Sequence, residues 1–326
     1  MLFSLTLLLS TLMSISSMTW FSAWMGLEIN LMSMVPLMKN FKNKFSSEAA
    51  IKYFITQATA SMIFLFSILM MSSTSMFSMY SENYLTFVTL ASLFLKMGAA
   101  PLHFWLPQVV SGLTWMVTTT ILTIQKIAPM VLASYTMMAN WMSITFIITS
   151  ATISGILGIN QTCLRKIMAF SSINNIGWML SALMMSNYLW LIYFVTYSLI
   201  TVSITLPMNE NKMMFMTQIS KLKMNKLPKL FLMMNFLSLG GLPPFTGFFI
   251  KWMTIYSMSV NFMFYTSIIL ILTSLLTLFM YIRLILPSMT LLSKKSMNLI
   301  NSSSSWTSLT LNALSLTGLP MILIMA

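Results

Sequence analysis

The stretch KMGAAPLHFWLP, residues 96–107, places a lysine, two prolines and the only histidine of the chain inside a long apolar segment. A second stretch of the same kind, SLGGLPPFTGFFIKW at residues 238–252, combines glycines, two adjacent prolines and another lysine. Proline removes a backbone donor and clashes with the preceding helical turn. Both stretches therefore predict an interrupted helix with a charged side chain close to the interruption.

The sequence around these stretches is that of a membrane protein. Of the 326 residues, 58% are hydrophobic and 6% are charged, whereas a water-soluble domain carries about a quarter charged residues. Apolar runs of roughly 20 residues, each long enough to cross a bilayer as a helix, recur along the chain. The runs are continuous rather than alternating, which favours helices over a β-barrel. We therefore predict an all-α polytopic membrane protein with a single membrane domain, residues 1–326.

Hydropathy and loop punctuation predict about eleven transmembrane helices. Their approximate ranges are 2–19, 20–38, 49–72, 84–106, 112–138, 141–159, 167–186, 188–207, 229–257, 262–286 and 306–325. The first five form one block (1–138), the next five a second block (139–290), and the last stands alone in 291–326. The interruption falls in the fourth helix of each block. Because five is odd, the blocks run in opposite directions, which predicts two inverted five-helix repeats, a pattern that marks transport sites.

The basic residues predict the orientation in the membrane. All 17 of them except Lys96, Lys126 and Lys251 fall in the loops after even-numbered spans or at span ends on that same side. This asymmetry follows the positive-inside rule. The 37 methionines suggest translation with a mitochondrial code. We therefore predict a multi-pass protein of the mitochondrial inner membrane, with the N-terminus in the matrix and the C-terminus in the intermembrane space.

The three remaining lysines and Glu28 lie inside predicted spans. A charge at the helix centre costs about 2.5–3.5 kcal/mol on insertion scales, and intramembrane ionisable groups are functional candidates by default. Burial disfavours an ammonium and a nearby carboxylate favours it. Moving such a pair apart would therefore release a proton, and re-forming the pair would take one up.

Each of these residues also has a purely structural interpretation. Lys96 could bond carbonyls freed by the break at Gly98–Pro101. Lys126 has no helix breaker beside it and, like Lys251, could reach the membrane interface with its long side chain. His103 could simply hydrogen-bond and pack beside a proline.

The composition leaves little room for a redox or nucleotide site. The chain has one cysteine, one histidine and no aspartate, too few ligands for a metal or an iron–sulfur cluster. No P-loop or GxGxxG motif is present. We expect no cofactor in this chain, and we assign the net charge of +13 to membrane orientation rather than to binding of nucleic acid.

Five motifs, in order along the chain, carry a resemblance to a known family. They are WMGLEINLMSMVPLM (24–38), SEAAIKYFITQATAS (47–61), LFLKMGAAPLHFWLPQVVSGL (93–113), TIQKIAPM (123–130) and GGLPPFTGFFIKW (240–252). They resemble subunit 2 of NADH:ubiquinone oxidoreductase, respiratory complex I, as animal mitochondria encode it. That family belongs to the antiporter-like subunits, which are related to subunits of cation/proton antiporters.

The resemblance implies an antiporter-like fold that lacks the three N-terminal helices of bacterial relatives. It implies that Glu28 pairs with Lys96, that Lys126 is the central lysine joining two half-channels, and that Lys251 is the terminal lysine. His103 matches a histidine near the polar axis. The five residues would together form the path of proton translocation.

The resemblance also implies a partnership. NADH, FMN, iron–sulfur clusters and ubiquinone would be bound by other subunits of the complex, and the other membrane subunits would be the partners of this chain. The surrounding bilayer, including cardiolipin, would supply lipid contacts. Two alternatives stay open from the residues themselves: an autonomous cation/proton antiporter of the same fold, and a structural scaffold whose buried charges only hold helices together.

Overall fold

The computed structural model describes residues 2–39, 43–73, 79–137, 141–220 and 226–290. Within these ranges the only β pairing is an isolated bridge between Cys163 and Phe215, and the rest is helices, turns and loops. The prediction of an all-α fold is confirmed for them. The predicted span 306–325 and the block 291–326 lie outside the described residues, as do Lys42, Lys221, Lys223, Lys294 and Lys295.

The chain forms two compact units, divided between Phe146 and Ile147. In the first unit, α2 packs against α1 and α3, and α4 packs against α3 and α7. The helices of this unit are α1 (Leu2–Ile15), α2 (Trp20–Met38), α3 (Lys44–Ser73), α4 (Met79–Met97), α5 (Trp105–Gly112), α6 (Trp115–Leu122) and α7 (Ile124–Thr136). The next helix, α8 (Trp141–Ile159), contains the boundary.

The second unit is organised around α9, in which 18 of 22 residues are buried. This helix contacts α10, α13 and α14. The helices of the unit after α8 are α9 (Leu164–Met185), α10 (Asn187–Glu210), α11 (Met216–Ser220), α12 (Lys226–Gly240), α13 (Thr246–Val260) and α14 (Phe264–Thr290). Its core is therefore one helix enclosed by others, and polar side chains of α9 point into protein rather than lipid.

Six helical segments in the described ranges are long and apolar enough to cross a membrane. They are Lys44–Ser73, Trp115–Thr136, Trp141–Ile159, Leu164–Met185, Asn187–Glu210 and Phe264–Pro287. The total of about eleven spans and the division into repeats at 138 and 290 stay predictions.

Serine and threonine are frequent in these apolar helices, and their hydroxyls bond back to the preceding turn. Ser10 Oγ donates to the carbonyl of Leu7 at 2.8 Å, and Ser150 Oγ donates to that of Ile147 at 2.9 Å. Such bonds satisfy a hydroxyl inside its own helix, where lipid offers no partner. The many small polar residues are therefore compatible with burial.

Both predicted interruptions are present. α4 ends at Met97 and α5 begins at Trp105, with turns between them, and α12 ends at Gly240 and α13 begins at Thr246. Gly98 has φ +78° and Gly241 has φ +84°, in the left-handed region that glycine adopts without steric strain. The glycines thus turn the chain sharply at each helix end.

The prediction of one continuous helix over 112–138 is wrong. Thr123, with φ −116° and ψ −78°, separates α6 from α7. Lys126 therefore does have an interruption beside it, one turn earlier in the chain. The hydroxyl of Thr123 donates to the carbonyl of Thr119 at 2.7 Å, so the side chain takes part in the local rearrangement.

The loop predicted between α10 and α12 is more structured than the sequence indicates. It contains α11. The side chain of Gln218, within this helix, accepts hydrogen bonds from the backbone N–H groups of Met214 and Phe215, just before the helix, at 2.6 and 3.1 Å. Lys229, predicted in this loop, lies in the first turn of α12 and is buried. The local side-chain cap explains why a segment with no apolar periodicity forms a helical turn.

Gly247 provides the first testable prediction. A Cβ atom at this position would collide with the carbonyl of Ser238, so replacing Gly247 with alanine forces α12 and α13 apart. We expect G247A to destabilise the protein by about 1–3 kcal/mol, as overpacking does, measured by thermal denaturation of the detergent-solubilised protein. G155A is the control, because its Cβ would meet Leu276 at an ordinary 3.4 Å; equal stability of the two variants would contradict the close approach.

Candidate functional site

Lys96 lies in the last turn of α4 and is 7% exposed. It lines a cavity of about 10 Å³ with a polar wall formed mainly by Asn30, Tyr53, Gln57 and Gln125. One water molecule needs roughly 10–15 Å³ of such space and two to four polar partners. The cavity therefore has the size and polarity of a site for a single water next to a buried amine.

The carbonyls freed at the end of α4 are satisfied by side chains other than Lys96. Trp105 Nε1 donates to the carbonyl of Leu95 at 3.0 Å, and Gln57 Nε2 donates to the carbonyl of Lys96 at 3.3 Å. The Lys96 ammonium makes no hydrogen bond to the residues that the structure describes. The structural interpretation of Lys96, in which it bonds these carbonyls, is not the arrangement observed.

Glu28 lies on α2 and is half-buried, and the family resemblance implies that it pairs with Lys96. Within the described ranges the two side chains form no direct ion pair, whereas Lys52 Nζ and Glu48 Oε1 are paired at 2.7 Å at the exposed start of α3. Glu28 and Lys96 are thus not in direct contact, and Glu28 is not among the residues that line the Lys96 cavity.

A chain of side-chain hydrogen bonds crosses this site and was not predicted from the sequence. Tyr53 OH donates to Gln125 Oε1 at 3.4 Å, and Gln125 Nε2 donates to Asn30 Oδ1 at 2.7 Å. The bonds join α3, α7 and α2. One sequence feature could have indicated these bonds, because amide side chains in apolar helices need buried partners. Asn30 and Gln125 lie in the motifs that contain Glu28 and Lys126.

Lys126 is 1% exposed, so its side chain is enclosed by protein rather than extended to the surface. Its backbone N–H donates to the carbonyl of Thr123 at 3.1 Å, which is the tightened turn that follows the interruption between α6 and α7. Lys126 follows Gln125 directly, but it does not line the Lys96 cavity. The two lysines occupy neighbouring helices, α4 and α7, that pack against each other.

His103 is buried in the turns between α4 and α5. Its Nδ1 lies 3.2 Å from the carbonyl oxygen of Pro101, and its ring centroid lies 4.5 Å from that of Phe104. These contacts are the ones that the structural interpretation of His103 expects. The residue is also absent from the wall of the Lys96 cavity.

Lys251 belongs to the second unit and lies on α13, after the interruption rather than before it. It is 6% exposed, so its side chain is enclosed by protein and does not extend outward as its structural interpretation requires. Its Nζ donates to the carbonyls of Leu239 and Gly240 at 3.3 and 3.1 Å and lies 5.7 Å from the ring centroid of Trp178. Lys251 thus caps the C-terminal end of α12, a role for which basic side chains are suited.

A second small cavity, of about 20 Å³, adjoins Lys251 and is lined on its polar side by Asn175, Tyr193, Tyr197 and Ser238. Tyr193 OH donates to Asn175 Oδ1 at 3.0 Å. Each unit therefore combines a buried lysine, an interrupted helix, a water-sized cavity, and a tyrosine bonded to a carboxamide.

The chain is similar to known proteins over nearly all its length. The family described as NADH:quinone oxidoreductase/Mrp antiporter, transmembrane, matches residues 17–277. NADH-ubiquinone oxidoreductase chain 2 of Anopheles gambiae is 45% identical over 98% of this chain and 96% of its own length. The Aedes aegypti protein of the same name is also 45% identical, over 87% and 84%.

Two solved structures share the fold. A chain of respiratory complex I from Thermus thermophilus has a TM-score of 0.86 and 21% identity, and the match covers 100% of this chain and 79% of that one. A chain of the Mrp complex from Dietzia has a TM-score of 0.77 and 16% identity, with 86% and 59% covered.

The interrupted helices, the buried lysines and these matches define the class: an all-α membrane protein with the antiporter-like fold. Within this class, the chain belongs to the NADH-ubiquinone oxidoreductase chain 2 family. The family resemblance predicted from the five sequence motifs is confirmed.

The different hydrogen bonding of the two lysines predicts different effects on stability. Lys251→Met leaves the carbonyls of Leu239 and Gly240 without their donor, and a buried unpaired group costs roughly 1–3 kcal/mol. Lys96→Met removes no hydrogen bond to a described residue. We expect faster hydrogen exchange in residues 240–247 of K251M than in the parent protein, and no change at the end of α4 in K96M. Unchanged exchange in K251M would show that the cap is dispensable.

Proposed function

We propose that this chain is the antiporter-like, proton-translocating subunit of an NADH:ubiquinone oxidoreductase complex, NADH:ubiquinone reductase (H⁺-translocating). NADH oxidation and ubiquinone reduction would occur in other subunits, which carry FMN and the iron–sulfur clusters. The names of the relatives and the multisubunit complexes that share the fold support this assembly with other membrane subunits.

The observation that carries the proposal is the burial of three lysines beside helix interruptions. Lys96, Lys126 and Lys251 are 7%, 1% and 6% exposed. Ionisable groups buried at membrane depth mark ion pathways and proton relays. Interrupted helices at such sites are typical of transporters. Glu28, Lys96, Lys126 and Lys251 would form the path, with His103 beside it.

The gap between Glu28 and Lys96 gives the pair its proposed chemistry. A carboxylate favours the ammonium, and desolvation disfavours it. Movement of α2 relative to α4 would change the attraction between the Glu28 carboxylate and Lys96, while Lys96 stays desolvated. Lys96 would therefore lose a proton as the two groups separate and gain one as they approach. The energy for this movement would come from redox chemistry in the partner subunits.

Among the buried lysines, Lys251 gives the scaffold alternative direct support. The bonds from Lys251 to Leu239 and Gly240 are those of a structural cap, and Lys96 has no such bonds. Substitution of Lys96 can therefore distinguish proton translocation from a purely structural scaffold.

Lys96→Met keeps the side-chain length and removes the charge. We expect the variant complex to assemble, while proton pumping in sealed inner-membrane vesicles falls by more than about tenfold, because a positioned proton-transfer group contributes roughly 10²–10⁴-fold to a rate. Coupled NADH oxidation should slow as well. Native gel electrophoresis with NADH activity staining checks assembly. Normal pumping per NADH in a fully assembled variant would contradict a proton-transfer role of Lys96 and favour the scaffold function.

The proposed location is the mitochondrial inner membrane, with the N-terminus and the loop between Lys212 and Lys229 in the matrix. The C-terminus near Ala326 would face the intermembrane space. The support is the one-sided distribution of Lys and Arg. We expect protease added to intact mitoplasts to spare this loop and to reach it after the membrane is opened; cleavage from outside would reverse the assignment.

A further inference from the structure

One side chain on the wall of the Lys96 cavity, Asn30, has amide N–H groups that no described residue accepts. Asn30 is 3% exposed, and its Oδ1 accepts the hydrogen bond from Gln125 Nε2 at 2.7 Å. Its Nδ2 makes no hydrogen bond to the described part of the chain. A buried amide with two free donors on the wall of a water-sized cavity points to a bound water.

The neighbours of Asn30 fix which of its atoms is free. Gln125 receives a bond from Tyr53 at its Oε1, so its Nε2 faces Asn30 and occupies Asn30 Oδ1. The other amide on the cavity wall, Gln57, directs its Nε2 to the backbone carbonyl of Lys96. Gln57 and Gln125 have each used one of their two N–H groups, whereas both N–H groups of Asn30 remain for the cavity.

We propose that Asn30 is a positioning residue for proton transfer at Lys96: its amide holds one water molecule in the cavity, oriented with a hydrogen toward the lysine nitrogen. This inference rests on the proposed function. Because Asn30 Nδ2 can only donate, the water accepts from Asn30 with its oxygen, and its own O–H bonds point away from Asn30 and are free to reach the neutral amine of Lys96.

The transfer step is balanced without any change in Asn30. A proton arriving along the path bonds to the water oxygen, one O–H bond of that water breaks, and its proton bonds to the lone pair of Lys96 Nζ. The water is regenerated and Lys96 becomes an ammonium. Release follows the same steps in reverse. Asn30 touches the transferring water and neither gains nor loses a proton.

The second unit contains the same residue types, although there one N–H of Asn175 Nδ2 donates to the carbonyl of Ser171 at 3.0 Å. Asn175 and Tyr193 are hydrogen-bonded to each other and line the cavity beside Lys251. Asn30 lies on the second helix of the first predicted repeat and Asn175 on the second helix of the other, while Tyr53 and Tyr193 lie on the third helix of each. An asparagine and a tyrosine thus accompany each lysine at an interruption.

The test compares four variants in the assembled complex, in sealed inner-membrane vesicles. N30L removes the donors at similar volume, N30A removes them without adding bulk, and K96M removes the lysine. Q161L replaces an amide with leucine in the loop between α8 and α9, at a residue that lines neither cavity. Proton pumping and NADH oxidation are measured in H₂O and in D₂O, with assembly checked on native gels.

We expect N30L to lower the pumping rate about two- to tenfold, the effect of losing one hydrogen bond in a transition state. The slowing in D₂O should be larger than in the parent complex, because proton transfer becomes more rate-limiting. Q161L should match the parent in both. A structural role for Asn30 would reduce assembly without changing the D₂O effect, and N30A carries the test if N30L does not assemble.

The outcomes separate this inference from the function on which it rests. Parental pumping and an unchanged D₂O effect in assembled N30L or N30A, with K96M impaired, would overturn the role of Asn30 and leave the proposed function intact. Parental pumping in K96M as well would overturn both. A larger D₂O effect in the Asn30 variants together with impaired K96M supports the oriented water.

Discussion

A helix that is interrupted inside a membrane exposes backbone carbonyls that lipid cannot satisfy. The protein must supply a donor for each one, and the choice of donor determines which side chains remain free for chemistry. The first unit uses Trp105 and Gln57 at the end of α4, two side chains that carry no charge. The second unit uses the ammonium of Lys251 at the end of α12.

The two solutions give the lysines different freedom. Lys96 sits before its interruption and faces a water-sized cavity, without a direct ion pair to Glu28. Lys251 sits after its interruption and is held by two carbonyls and the ring of Trp178. The same sequence device, a lysine near a glycine–proline break, therefore produces one amine that is available to a proton and one that also holds the backbone together.

Much of this arrangement was predictable from the sequence, because the signals were local. Glycine and proline mark the two helix ends, and apolar composition marks the membrane class. The break at Thr123 was missed because no glycine or proline accompanies it; a threonine hydroxyl that competes for its own helix carbonyls is a weak signal. The contact of Lys251 with Trp178 and the link from Tyr53 through Gln125 to Asn30 join helices distant in sequence, so spacing alone could not predict them.

The cap on α12 has a consequence that follows from counting N–H bonds on Lys251. An ammonium carries three, and two of them are directed to the carbonyls of Leu239 and Gly240. A neutral amine still carries two. The end of α12 can therefore stay tied in both charge states, and only the third hydrogen is free to leave. Lys251 could then take up and release a proton while its two hydrogen bonds to the end of α12 persist. The backbone at the helix break would stay in place as the charge changes.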